Sequence, residues 1–334
     1  MFTPLAAAML LACGGREQGP CPDGSRLDGD RVTGQVCLDE EGRKVGPHVR
    51  DRPDGTPHER GGYGENGHRD GVWTRFHENG SKAREEHWAN GFMHGPWAEW
   101  DVDGRKTLSG AYDQGRKHGK WWDWGPDGRP TELTTWFEGQ MVGPAVAWFE
   151  DGDLKEVGHH ENGVPVGLWV VFHDTGGVAS RTPWRDGGKS GVEEVFTAGG
   201  LRLRETRFVA GRLEEERTWH LSGALERVRD GSGNDEILDL DGRRLKWCRQ
   251  EDAGVRCEEW YDDGSRRARY FLVELRKDGP YQTWHPNGAV ASTGRYADGR
   301  RVGAWEFRAP DGMLQTARSG VYENGARVPG PSDD

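Results

Sequence analysis

The sequence predicts an all-β fold, an elongated single-layer antiparallel sheet of tandem β-hairpin repeats of about 24 residues. Three observations carry this. The first is a recurring phrase between Gly71 and Gly200: GVWTRFHENG, GPWAEWDVDG, GKWWDWGPDG, GPAVAWFEDG, GLWVVFHDTG and GVEEVFTAGG. Its closing glycines Gly80, Gly104, Gly128, Gly152, Gly176 and Gly200 fall 24 residues apart, and one fixed period over that length marks a repeat array. The second is what lies between the glycines: segments of six to eight residues rich in Trp, Phe, Tyr, Val and Thr, without helical stripes. The third is composition. Only 33% of the residues are hydrophobic and the mean hydropathy is −0.90, too little Leu, Ile and Val for a thick core. Sixteen tryptophans can still cover a thin layer, because each large ring buries on the order of 150 to 250 Å².

In chain order, residues 1–12 are apolar and end in Leu10-Leu11-Ala12 before Cys13. This resembles the lipobox of bacterial lipoproteins, which implies cleavage before Cys13 and a lipid on its thiol. On that reading 1–12 is a signal peptide, and the chain is exported and anchored to the envelope, at the outer membrane, by the lipid alone. Residues 13–45 are Gly- and Asp-rich without clear period and read as a tether with a degenerate first unit. The array is expected over 46–325. Its spacing slips to 23, 19 and 22 residues at Gly223, Gly242 and Gly264 before two regular steps to Gly288 and Gly312, so 201–264 is irregular. Residues 326–334, Gly- and Pro-containing with acidic residues at the end, are expected to be a disordered tail.

With Cys13 given to lipid, four cysteines remain, an even number suited to an oxidising compartment. A hairpin about Asp252 and Ala253 would set Cys248 opposite Cys257. Cys21 and Cys37 are then left to each other.

The pairs Asn79-Gly80, Asp103-Gly104 and Asp127-Gly128 are the short-range signal for two-residue type I′ turns. The second turn of each unit, as at Asn90-Gly91, reads as a longer glycine-bounded loop. Three aromatic columns follow from this register. The first holds Trp73, Trp97, Trp121, Trp169 and Trp305. The second holds Phe76, Trp100, Trp124, Trp148, Phe172, Phe196, Trp219, Trp260 and Trp284. The third holds Trp88, Tyr112, Trp136, Trp184, Phe208 and Tyr296. The first two columns stand three residues apart, so either both faces carry rings or a bulge re-aims one set. The columns are read as structural, with a ligand-facing role for any ring left exposed.

The phrase aromatic-x-x-Gly-x-x-x-Gly-x-Trp-x-x-aromatic, with Met93-His94-Gly95 and Lys117-His118-Gly119, resembles MORN repeats, more specifically the bacterial MORN-repeat variant of antitoxin-like proteins. The resemblance covers roughly residues 60 to 325. It implies a meandering sheet of hairpins and a binding or scaffolding role without catalysis. The sequence departs from the familiar form in its 24-residue units and in lacking a consistent Tyr-x-Gly-x-Trp segment.

Catalytic and cofactor signatures are absent or weak. Gly62-Tyr63-Gly64-Glu65-Asn66-Gly67 fits G-x-G-x-x-G, but no apolar strand precedes it and no helix follows. Asp101-Val102-Asp103-Gly104 and Asp239-Leu240-Asp241-Gly242 echo a calcium loop without its closing glutamate. His77, His173, His220 and His285 recur at one place in four units, too far apart for one metal. No catalytic residue, metal site or cofactor is expected. A net charge of −11 disfavours nucleic acid. The expected function is a protein-binding scaffold at the envelope. The alternatives are neutralisation of a toxin, or binding of cell-wall polysaccharide by exposed aromatics. The anchor has a direct check: radiolabelled palmitate is expected to label the wild-type chain in cells and to be lost in Cys13→Ala.

Overall fold

A computed structural model describes residues 21–329, so Cys13 and the expected signal peptide lie outside the described residues. The described chain holds thirty β-strands and no helix. Strands pair antiparallel with their sequence neighbours, and the chain divides into two compact units. Among the described residues, one comprises those up to Pro130 with Thr135–Gln140, and the other Thr131–Thr134 with those from Met141 onward.

The two turns of each hairpin unit are the reverse of the sequence reading. At Asn79-Gly80 only the glycine is left-handed (φ 83°). His77 N–H bonds the Ser81 carbonyl at 2.8 Å and Gly80 N–H bonds the His77 carbonyl at 3.0 Å, which makes a type I turn closed by a glycine bulge. The two-residue type I′ turn is instead Asn90-Gly91, with φ of 50° and 87° and Ala89 paired directly with Phe92. Its glycine N–H has a further role: Gly91, Gly115 and Gly139 in the first unit bond the carbonyls of Arg69, Met93 and Lys117, each one repeat back. Gly163, Gly187, Gly211 and Gly299 do the same in the second, to Met141, Pro165, Lys189 and Lys277. The turn therefore clips each hairpin to the one before it.

A sheet with this little aliphatic content needs another way to bury rings, and a repeated pairing of glycine with tryptophan supplies it. Trp121 lies flat across Gly110, where a Cβ would overlap the indole. The strand register slips between Ser109 and Ala111, and the extra residues of the facing strand let the ring seat there. Trp121 Nε1 donates to the Ala111 carbonyl at 3.1 Å, and Tyr112 meets the ring edge-on at 5.1 Å and 86°. Gly61 with Trp73, Gly158 with Trp169 and Gly294 with Trp305 repeat the arrangement. The edge partners there are Tyr63, His160 and Tyr296.

Where the glycine–tryptophan pair is missing, other chemistry fills the same two positions. Thr182 donates to Glu193 at 3.1 Å, Tyr270 tilts against Tyr281, and Cys248 is bonded to Cys257 across paired strands with Cα atoms 4.1 Å apart. Cys257 is fully buried and forms a small core with Cys248, Ala268 and Tyr270.

Strand pairing runs past both ends of the expected array. Within the segment read as a tether with a degenerate first unit, Arg26–Asp28 pairs with Gln35–Leu38, and the Cys21–Cys37 disulfide with buried Val36 and Val45 closes that end. At the other end the strand Ala326–Arg327 pairs with Tyr322 and Glu323, so the expected tail is ordered at least that far. It completes a cap in which Trp305, Phe307 and Tyr322 are buried together beneath the Arg301 guanidinium, 5.0 to 5.5 Å from the three ring centres. Terminal units that differ from the interior ones are what a repeat stack requires.

Two stability measurements check these devices. Gly110→Ala is expected to cost about 1–3 kcal/mol by overpacking and to shift tryptophan emission to the red. The double change Cys248→Ala/Cys257→Ala is expected to cost about 2–3 kcal/mol in denaturant titration.

Candidate binding surface

The aromatic columns divide between the two faces of the sheet. First- and third-column rings interleave on one face: Trp97 and Trp121 lie 5.3 Å apart, with Tyr112 edge-on to both. Second-column rings lie on the other face, where Trp124 stacks with Trp122 and donates to Ser109 Oγ at 3.3 Å. Three residues between columns thus act as the strand period dictates, and the bulge seats the first column without changing its side. Trp73, Trp97, Trp121 and Trp305 are buried, while Phe76, Trp88, Trp100, Trp124, Trp136, Trp148, Trp169, Phe172 and Trp184 are half-buried.

Second-column rings carry a recurring partner. In four hairpins a cation two residues beyond the turn glycine lies over the ring of the following hairpin: Lys82 over Trp100 in the first unit, and Arg202 over Trp219, Arg244 over Trp260 and Arg266 over Trp284 in the second. Each cation also holds a carboxylate: Glu85, Glu205, Glu236 and Glu258 respectively. Glutamate, cation and ring close each other off on this face, and partial desolvation strengthens the ring term.

The recurring histidines serve the same end. His77, His173 and His285 each place Nε2 on a carbonyl of the next hairpin, those of Trp100, Phe196 and Arg308, at 2.8 to 3.0 Å. Tyr261 reaches the Trp284 carbonyl in the same way. Among the described residues no three His, Cys, Asp or Glu side chains gather to hold a metal.

In the first unit, Glu59 is enclosed by His48, Arg69 and Arg75 at 3.5 to 3.8 Å. The His48 hydrogen bond first, then the two guanidiniums, outweigh burial and hold its carboxyl at about 2. His48 in turn stacks on Trp73 at 5.1 Å, so a charged group is built into the start of the first column.

The array fails locally at residues 223–242. Its strands, Leu225–Asp230 and Asp235–Leu238, have six and four residues, against eight or nine in most full-length strands. Leu238 stands where other units place a second-column ring, and His220 Nε2 is buried without a partner. The shortened strands leave a notch of about 360 Å³ lined by Val228, Asp230, Asn234, Asp235, Glu236, Trp247 and Arg249. Trp247 belongs to none of the three columns. The acids of the notch are already engaged. Arg227 grips Asp235 at 2.6 and 2.9 Å, and Arg244 holds Glu236. Asp230 accepts from Ser232 and Asn234; burial pushes its carboxyl up, and these bonds more than offset that and leave it low. The Arg249 side chain makes no hydrogen bond, ion pair or ring contact among the described residues. The period slip was visible in the sequence; the notch was not, because it arises from strands too short to reach the edge their neighbours reach.

Two hairpins match the MORN repeat variant, residues 69–90 and 277–298. Both segments begin at the residue whose carbonyl receives the type I′ glycine and end at the first residue of that turn. No curated protein matches the sequence. Among solved structures, the TcdB2–TccC3–TEV crystal structure is similar at 10% identity over 87% of this chain and 17% of that one, with a TM-score of 0.16. The Photorhabdus luminescens Tc holotoxin pore with a TccC3 mutation gives 14% identity, 84% and 18% coverage, and a TM-score of 0.16. The chain spans less than a quarter of the length of either.

The Glu59 cluster sets a pH dependence. Its folded carboxyl is held below the ordinary value of 4.5, so its stabilisation is complete above that pH and is lost as pH falls from about 4.5 to about 2. Thermal melts of Glu59→Gln are expected to lose part of the wild-type acid sensitivity across that window.

Proposed function

We propose that this chain is a non-catalytic, repeat-based scaffold that binds a protein partner at the bacterial cell envelope. The observation that carries the reading is the division of labour among the side chains. All sixteen tryptophans are buried or half-buried, and the rings of the columns meet glycines, cations and one another. The variable polar positions and the one break in the period are left to face a partner. Two disulfides within the described residues support an oxidising compartment, and with the lipobox-like Cys13 they favour an exported, lipid-anchored protein. A polysaccharide platform receives less support, because sugar-binding surfaces present broad ring faces and among the described residues only Phe92 and Phe137 are exposed Phe, Tyr or Trp rings. Neutralisation of a toxin is a narrower form of the same reading, in which the partner is the toxin.

Affinity purification of the full chain from envelope extract is expected to recover a protein partner in constant ratio to it. Recovery of the chain alone, or of glycan in place of protein, would overturn the reading. If the recovered partner arrests growth when expressed by itself and not beside this chain, the neutralising form holds.

A further inference from the structure

We infer that the surface running from the notch at 223–242 to the turn at Glu274-Leu275 is the partner-binding site, and that it takes a segment in which carboxylates alternate with large apolar side chains. This deepens the scaffold reading and rests on it.

Four observations on this part of the second unit converge. Trp247 lines the notch and is one of two tryptophans that no column uses, so repeat packing does not account for it. Beside it, Arg249 is paired directly across the strands with Arg256. Like charges placed opposite each other are unfavourable on a sheet; Arg256 has Glu251 at 3.1 Å, and Arg249 has nothing. An anion bridging the two guanidiniums would remove that repulsion and gain charge-assisted hydrogen bonds. On the next strand Phe271 stands opposite Arg256, and Val273, two residues on, is 39% exposed on the same face.

The fourth observation is the turn itself. Where the other type I′ turns carry glycine at their second position, this one has Leu275, with φ of 65° and 91% of its surface in water. A leucine there carries left-handed strain of about 1–2 kcal/mol and an exposed apolar side chain besides. Backbone strain kept at such a place points to use. Apolar Trp247, Phe271, Val273 and Leu275 thus flank a row of guanidiniums, and an acidic segment with apolar neighbours complements both.

The test is fluorescence anisotropy of the full chain with labelled (Glu-Leu)4 and (Lys-Leu)4 peptides. The acidic peptide is expected to bind and the basic one not. Arg249→Glu/Arg256→Glu is expected to reverse that preference. Leu275→Gly is expected to weaken acidic-peptide binding at least tenfold while raising the melting temperature, a pairing that loss of folding cannot produce. Equal binding of both peptides, binding of neither, preference for phosphatidylglycerol vesicles over peptide, or variants that bind like wild type would each overturn the inference. If the natural partner is recovered equally by wild type and the charge-reversed variant, the site is wrong and the scaffold reading stands. If wild type recovers none, it is the scaffold reading that fails.

Discussion

The structure depends on one arrangement: an indole ring lying flat on a glycine of the neighbouring strand, its N–H on the next carbonyl and a second aromatic ring against its edge. A sheet of hairpins with few aliphatic residues cannot bury its apolar surface against a second layer of similar kind. Laying the ring along the sheet buries its face within the sheet's own thickness. The glycine is needed because any Cβ would occupy the space of the ring, as at Gly110 beneath Trp121. The bulge on the facing strand is needed because a regular ladder would stand the ring upright.

Once that slot exists, its occupants can change. Glycine with tryptophan, threonine with glutamate, tyrosine with tyrosine and a disulfide all fill equivalent cross-strand pairs. Each joins adjacent strands at the same place, by ring burial, hydrogen bond or covalent link. The disulfide stands in the irregular stretch, where the second column has lost a ring and the His220 staple is unmade. The opposite face solves the same problem differently, by covering Trp100, Trp219, Trp260 and Trp284 with a cation that a carboxylate holds in place.

Much of this was legible in the sequence. The 24-residue spacing fixed the hairpin, and the odd spacing from Trp121 to Trp124 limited the columns to two arrangements, of which the structure uses the one with rings on both faces. The turn types were read the wrong way round because Asn-Gly and Asp-Gly satisfy two different turns, and only the pairing of Ala89 with Phe92 separates them. The histidine staples were not legible, since their acceptors are carbonyls one repeat away, and backbone carries no residue signature. The glycine slot could have been found: Gly110-x-Tyr112, Gly158-x-His160 and Gly294-x-Tyr296 each stand at the same distance before a first-column tryptophan. Leu275 could not, because a leucine in a turn looks ordinary until its backbone dihedral is known.

The clip from each type I′ glycine to the preceding hairpin has a mechanical consequence. Stability in such a stack is a sum of neighbour-to-neighbour terms, so a pull along the second unit is borne by its weakest junction in series. That junction is residues 223–242, with strands of six and four residues, a staple left open at His220 and no ring at Leu238. Just beyond it, the bond between Cys248 and Cys257 fixes how little length the next hairpin can release. The molecule therefore carries a fuse beside a rivet: load opens the short hairpin first, and the surface argued to hold the partner sits across the two.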